Sequence, residues 1–316
     1  MSRRVLITGG SGFVGQWLSR AMLREGWTVF AGTTNRTPRP SLLSEEESRS
    51  ICRIPLDVLS DDSIRTAIAA SQPNRVVHLA GIAFAPEANA APARAFEINA
   101  LGAMRLVSEL LSAVPDVRVL VIGSAEEYGA QDAAAYPITE SATLRPLTPY
   151  AVAKASQELI SLQAFRGSGL QVMCTRSFNH SGVGHGHSYL LPTLVKRVRE
   201  LPNSGGTLRI GNGAVIRDYL HVTDVVEAYT ALLDKGTPGE VYNVCSGVGR
   251  TVRELAEAVL YRASVTADIS SDASLLRPID VPILVGDNTK LRQATGWAPK
   301  RSIDDIIDDL IHAAAR

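Results

Sequence analysis

Tyr150 and Lys154 stand four residues apart, directly behind Pro149. On a helix that spacing sets the phenol and the ammonium on one face. The pair suits the reduction of a carbonyl. As hydride reaches the carbon, negative charge builds on the oxygen, and Tyr150 can give that oxygen a proton as general acid. The phenol pKa, ordinarily about 10, is expected to be drawn down by the Lys154 ammonium and the positive charge of a nicotinamide. Ser124 ends a predicted strand and can hydrogen-bond the developing oxyanion. A Tyr-x-x-x-Lys spacing alone is commonly a surface pair, so its meaning depends on what stands beside it.

What stands beside it is a cofactor motif. Thr8-Gly9-Gly10-Ser11-Gly12-Phe13-Val14-Gly15 leaves a predicted strand and opens a predicted helix, the context in which spaced glycines cradle a dinucleotide. Gly9 allows the tight turn, Gly12 lets the backbone approach a pyrophosphate, and Gly15 packs the helix on the strand. The helix N-terminus then offers free N–H groups to the phosphates. After the second strand the chain reads Gly32-Thr33-Thr34-Asn35-Arg36-Thr37. It lacks the acidic residue that usually holds the adenosine ribose hydroxyls of NAD. Arg36 can pair with a 2′-phosphate, so NADP(H) is the expected cofactor, with NAD(H) possible. Asp57, ending the third strand, is placed to meet the adenine. Leu79, Ala80 and Gly81, after the fourth, are placed to line the cofactor cleft.

The elements that must position these groups follow from periodicity. Short β-branched runs at residues 4–8, 28–31, 75–79, 117–122 and 170–175 read as strands buried on both faces. Helical patterns occupy residues 13–25, 61–71, 93–113 and 149–165. The alanine- and proline-rich stretch 83–95 reads as a loop entering a helix. Strand–helix alternation predicts an α/β fold, a Rossmann doubly wound parallel sheet. Ligands of such sheets bind at the carboxyl ends of the strands, where Ser124, the Tyr150 helix and the glycine loop converge.

Composition narrows the alternatives. The 316 residues carry 32 Lys+Arg against 32 Asp+Glu, with 45% hydrophobic and 20% charged residues. A neutral balance argues against nucleic acid as a partner. No apolar run approaches the ~18 residues of a membrane span. Val5-Leu6-Ile7 is too short for a signal peptide core. Cys52, Cys174 and Cys245 are odd in number and far apart, which predicts buried thiols in a reducing cytoplasm rather than disulfides. His180, His185 and His187 cluster in a glycine-rich loop without a cysteine, and no metal is expected.

Across its whole length the chain resembles the extended short-chain dehydrogenase/reductase family of sugar-nucleotide enzymes. The resemblance rests on Thr8 to Gly15, Leu56-Asp57-Val58, His78-Leu79-Ala80-Gly81, Asn99, Ser124-Ala125-Glu126-Glu127-Tyr128-Gly129, Pro149-Tyr150-Ala151-Val152-Ala153-Lys154, Arg217-Asp218-Tyr219-Leu220-His221 and Tyr242-Asn243-Val244. Within the family it is similar to reductases of GDP-4-keto sugars, through Ser177-Phe178-Asn179-His180, Leu276-Arg277-Pro278 and the tail Thr295-Gly296-Trp297-Ala298-Pro299. Val183 and His185 depart from the Pro and Gln of that pattern. The loop that carries them faces the substrate in the family.

The resemblance implies NADPH-dependent reduction of the 4-keto group of GDP-4-dehydro-6-deoxy-D-mannose to GDP-D-rhamnose. It implies that Ser124, Tyr150 and Lys154 are catalytic, with Glu126 either on sugar hydroxyls or, as in GDP-mannose 4,6-dehydratases, the base of an elimination. Gly9, Gly12, Phe13, Val14, Gly15, Arg36, Asp57, Val58, Leu79, Ala80, Gly81 and Phe178 would hold the cofactor together with Tyr150 and Lys154. Asn99 would position the catalytic helix. Asn179, Lys196, Arg217 and Arg277 would bind the substrate diphosphate, with Asp280 near its ribose. A dehydratase, another 4-epimerase or reductase, and a non-catalytic dinucleotide sensor are the alternatives. The expected division is residues 1–178 with 213–248 as the Rossmann domain, and 179–212 with 249–316 as the smaller mixed α/β substrate domain. Residues 93–113 and 149–165 have second apolar faces; in the family such helices form a four-helix dimer interface, so the resemblance implies a homodimer.

Overall fold

The computed structural model describes residues 3–34, 41–202 and 205–314. In chain order the strands are β1 (Arg4–Thr8), β2 (Thr28–Thr33), β3 (Cys52–Pro55), β4 (Arg75–His78), β5 (Arg118–Ser124), β6 (Gln171–Ser177), β7 (Asn179–Ser181), β8 (Thr207–Ile210), β9 (Ile216–His221), β10 (Val241–Val244), β11 (Gly249–Thr251), β12 (Asp268–Ser271) and β13 (Ile283–Leu284). The α-helices are α1 (Phe13–Arg24), α2 (Glu45–Arg49), α3 (Asp61–Ser71), α4 (Ala85–Ala90), α5 (Pro92–Phe96), α6 (Gly102–Ala113), α7 (Pro149–Ser168), α8 (Leu190–Arg199), α9 (Val222–Lys235), α10 (Val252–Arg262), α11 (Thr289–Thr295) and α12 (Ile303–Ala314).

Strand burial sets the layers. Val5, Leu6 and Ile7 of β1 are fully buried, because helices cover both faces of the sheet. Val5 and Ile7 join one core with Leu18 and Met22 of α1 and Tyr229 and Leu232 of α9. Leu6, between them, joins the opposite core with Ile64 of α3, Leu106 and Leu110 of α6, and Leu162 of α7. This is the two-residue alternation of a pleated strand. The sheet is parallel throughout, in the order β3-β2-β1-β4-β5-β6-β10. Strand order reverses between β1 and β4, which opens a crevice at their carboxyl ends.

A smaller layer carries its own core, in which Leu191 and Leu194 of α8 meet Leu255 and Val259 of α10 and Ile306 and Ile307 of α12. There β9 pairs with β7, β11 and β13. The expected return of residues 213–248 to the large sheet therefore begins at α9, and β10 completes it against β6.

Three sequence expectations are corrected. The single helix at 93–113 is broken: α5 runs into one turn of π-helix, Glu97–Leu101, before α6. The stretch 83–95, expected as a loop, holds α4 and α5. Cys52 is exposed rather than buried, because β3 is an edge strand of the sheet. Among the described residues no helix is long and apolar enough to cross a membrane.

Candidate active site

The crevice is a cavity of about 580 Å³. At one end β1 turns into α1. Gly9 has φ +69°, and a Cβ there would lie 2.9 Å from the Ala80 nitrogen, so both conformation and space demand glycine. A Cβ on Gly15 would fall 2.5 Å from the Gly9 carbonyl, which fixes how closely α1 sits on the turn. Gly12 is the N-cap of α1 and, having no side chain, makes no cap bond of its own to the first N–H groups of the helix. The turn is held from outside: Gly10 N–H donates to the Gly32 carbonyl at 3.0 Å, and the Ser11 and Thr33 hydroxyls bond at 3.0 Å. Uncapped N–H groups facing a cavity fit a pyrophosphate. Gly9, Gly12, Phe13, Val14, Gly15, Asp57, Val58, Leu79, Ala80 and Gly81 all line it. Arg36 lies outside the described residues.

The middle of the cavity carries the reactive groups. Thr148 caps α7 through the Ala151 N–H at 3.2 Å, and Pro149 takes its first turn. Asn89 accepts the Tyr150 N–H at 3.0 Å. These contacts seat Tyr150 in the cavity that Ser124 lines from the end of β5. Ser124 Oγ also accepts the Glu126 N–H at 3.2 Å. One turn along α7, Lys154 Nζ donates to the Ile122 carbonyl and to Gln157 Oε1, both at 2.8 Å. Tyr150, Lys154, Ser124 and Glu126 line the same cavity.

Electrostatics here differ from expectation. Burial, and next the Glu126 carboxylate, hold the Tyr150 phenol above its usual range. The net shift is upward, opposite to the expected lowering; the Lys154 ammonium donates to Ile122 and Gln157. Burial draws Lys154 down to about 8, against an upward pull from Glu127. Burial raises Glu126, while Arg277 and Arg217 oppose it. His78, bonded through Nδ1 to the Thr8 hydroxyl at 2.8 Å, is driven to about 3 by burial and then by Lys154.

The Asn99 amide clamps the backbone of Ile82, accepting the N–H at 2.8 Å and donating to the carbonyl at 3.1 Å. It holds the loop after β4. Asn99 itself lies in the π turn Glu97–Leu101.

At the far end Phe178, Asn179 and Arg277 line the cavity. Asn179 Oδ1 is buried without a hydrogen-bond partner among the described residues. Arg217 does not line it. Its guanidinium donates to Asp280 at 2.5 Å and to the Val281 carbonyl at 2.7 Å, so Arg217 and Asp280 brace the wall that carries Arg277. Lys196 does not line it either; it is exposed on α8, 3.8 Å from Glu200.

Sequence reasoning missed several lining groups. Phe13 stacks on His185 at 4.6 Å, His185 on Tyr189 at 4.0 Å, and Tyr189 meets Phe84 edge-on at 5.2 Å. Trp17 Nε1 donates to the Val183 carbonyl at 3.0 Å. The loop at 182–189 thus closes onto α1, at the pyrophosphate end, and is not confined to the substrate end. Tyr219 also lines the cavity; its spacing of two from Arg217 was the available signal. Among the described residues no group of three or more His, Cys, Asp or Glu could hold a metal.

Comparison with known proteins agrees with this geometry. A family model described as GDP-mannose 4,6-dehydratase matches residues 6–310. GDP-6-deoxy-D-mannose reductase of Pseudomonas aeruginosa is 34% identical over 98% of this chain and 97% of that one. GDP-6-deoxy-D-talose 4-dehydrogenase of Aggregatibacter actinomycetemcomitans is 27% identical over 93% of this chain and 91% of that one. The solved structure of RMD from Pseudomonas aeruginosa complexed with NADPH superimposes with a TM-score of 0.82 at 31% identity, covering 98% of both chains. The chain belongs to the GDP-mannose 4,6-dehydratase family, within the extended short-chain dehydrogenase/reductases, NAD(P)-dependent enzymes of sugar nucleotides.

Proposed function

We propose that this enzyme reduces the 4-keto group of GDP-4-dehydro-6-deoxy-D-mannose to GDP-D-rhamnose, with NADPH preferred and NADH accepted. The observation that carries the reading is the convergence of Ser124, Tyr150 and the buried Lys154 on one cavity with the glycine turn that leads into α1. The relatives' names and the NADPH complex of one of them support it. The glycine turn and the cavity residues Asp57, Leu79 and Ala80 would hold NADPH, which when bound would supply the hydride for the sugar carbon. Ser124 and Tyr150 present hydroxyls to the carbonyl oxygen. Tyr150 passes its proton to that oxygen, completing the alcohol. The Lys154 cation stabilises the tyrosinate left behind. Arg277 meets the substrate phosphates. Asn179 Oδ1, buried without a partner, accepts from a substrate N–H or O–H group.

One observation favours a second reading. Glu126 lines the cavity with its carboxyl raised by burial, as a base for elimination from GDP-mannose would need. The two are separated by parallel incubations: GDP-mannose with NADP⁺, and GDP-4-dehydro-6-deoxy-D-mannose with NADPH. Oxidation of NADPH only in the second supports the reductase. Keto sugar formed from GDP-mannose makes the enzyme a dehydratase.

The same reading takes residues 1–178 with 213–248 as the cofactor domain and the remainder as the substrate domain. It takes a homodimer in the cytoplasm as the working form. Met104 on α6 and Val152 and Leu159 on α7 are exposed apolar side chains, 43–58% accessible, and a second copy would cover them. Light scattering that finds only monomer at micromolar concentration would refute the dimer.

A further inference from the structure

Gln157 does not line the cavity, and no step above uses it. It follows Lys154 by three residues on α7, so the two side chains share a helix face. Gln157 is only 1% exposed. Lys154 Nζ donates to Gln157 Oε1 and to the Ile122 carbonyl of β5, both at 2.8 Å. The two acceptors belong to different elements, and between them they hold the end of a side chain that is otherwise free to rotate about four bonds. A charged lysine carries three N–H groups. Two are committed here, and the third is left for the cavity that Lys154 lines. A Cβ on Gly81 would lie 3.8 Å from Nζ, so the nitrogen sits over bare backbone of the loop after β4. The amide is not there for packing. Its Nε2 is buried with no hydrogen-bond partner among the described residues, and an unsatisfied buried donor destabilises a fold. An apolar side chain of the same length would avoid that cost. Turning the amide over would set N–H against N–H, so Lys154 fixes its orientation.

We infer that Gln157 is a positioning residue for Lys154: with the Ile122 carbonyl it commits two of the three N–H groups of Nζ and leaves one for the occupant of the cavity. The consequence for turnover rests on the reading of Tyr150 and Lys154 given above. A neutral acceptor orients the ammonium without cancelling its charge, which the tyrosinate left by proton transfer requires. Without the acceptor, Lys154 keeps one anchor, and the freedom of the side chain must be lost anew at each turnover.

The chain has five lysines, Lys154, Lys196, Lys235, Lys290 and Lys300, and Lys154 alone is buried among them. Carbon-13-labelled lysine NMR can therefore read it directly in the whole enzyme. A clamped side chain separates its two ε-methylene protons, and a mobile one averages them. Gln157→Met keeps the length and removes the acceptor. Gln157→Glu keeps an acceptor at the same reach. The wild-type ε protons of Lys154 should give separate signals. In Gln157→Met they should merge, and kcat should fall about tenfold while KM for the GDP-sugar stays within about twofold. Gln157→Glu should keep the signals apart and recover most of the lost turnover. A packing role alone would give the reverse order, with Met tolerated and the buried carboxylate harmful. Full kcat or separate ε signals in Gln157→Met overturn the proposal, as does an equal fall of kcat in both variants. So do averaged ε protons on the wild-type Lys154, readable even if neither variant folds. The NMR needs no substrate. Signals that merge in Gln157→Met, in an enzyme that reduces no GDP-keto sugar, would sink the activity reading and leave the clamp standing.

Discussion

At the α1 end of the cleft a ligand meets backbone: the left-handed Gly9 turn, the uncapped N–H groups that follow Gly12, and the close seat of α1 over Gly15. At the Arg277 end it meets side chains from separate segments: Glu126 after β5, Asn179 in β7, Tyr219 in β9 and Arg277 before β13. Backbone recognition is fixed by conformation and tolerates few substitutions. Side-chain recognition is set by loop packing and can be retuned. One end of the cleft is therefore suited to one cofactor class, and the other to choosing among sugar nucleotides. The reacting groups sit between, on the rigid ends of β5 and α7.

The largest expected effect breaks the middle of this comparison. Tyr150→Phe should lower turnover by about 10³-fold while leaving NADPH affinity nearly unchanged, because only the acid is removed. Stopped-flow kinetics beside fluorescence titration of the cofactor reads both. The next tests the backbone end. Gly15→Ala forces a Cβ to 2.5 Å from the Gly9 carbonyl and should cost about 1–3 kcal/mol of stability by overpacking, measured by urea unfolding, together with weaker cofactor binding.

At the side-chain end the contrast is between two arginines. Arg277→Ala should raise KM for the GDP-sugar about tenfold and leave cofactor affinity alone. Arg217→Ala should instead lower thermal stability, since it breaks the Asp280 pair and a carbonyl bond behind the wall. If Arg217→Ala raised KM with no loss of stability, the assignment of the two roles would be reversed.

A pH effect concerns the floor under both ends. His78 is neutral in the fold, with a pKa of about 3, whereas an unfolded histidine binds a proton below about 6.5. The unfolded state thus holds more protons between these values. Stability should fall as pH drops from 6.5, by up to about 1.4 kcal/mol per unit. His78→Asn should flatten that slope in denaturation curves taken across pH.

Legibility in the sequence follows the same divide. The glycine turn, the four-residue step from Tyr150 to Lys154, and Ser124 at a strand end are local patterns, and the structure brings them into one cavity. What was not legible depended on distant partners. Nothing local to Arg217 announces its pairing with Asp280, 63 residues on. Lys196 carries the same charge pattern whether its helix face meets ligand or solvent. The π turn hides in the periodicity of residues 93–113, because one extra residue shifts the phase too little to be seen. Glu127 looks like a surface acid beside Glu126, and only the packing of β6 and α7 shows that it is buried. Arg36, the sequence argument for NADPH, is sharpened by Arg36→Ala: a several-fold loss of NADPH affinity that spares NADH supports its role, and equal losses make it a bystander.

The central claim is tested most directly by the identity of the sugar product. The enzyme is supplied with GDP-4-dehydro-6-deoxy-D-mannose and a stoichiometric amount of NADPH, and the product is resolved by chromatography and proton NMR. The account predicts GDP-D-rhamnose in an amount equal to the NADPH oxidised. GDP-6-deoxy-D-talose, the epimer at the same carbon, would contradict the assigned product, and unchanged keto sugar would contradict the reduction itself.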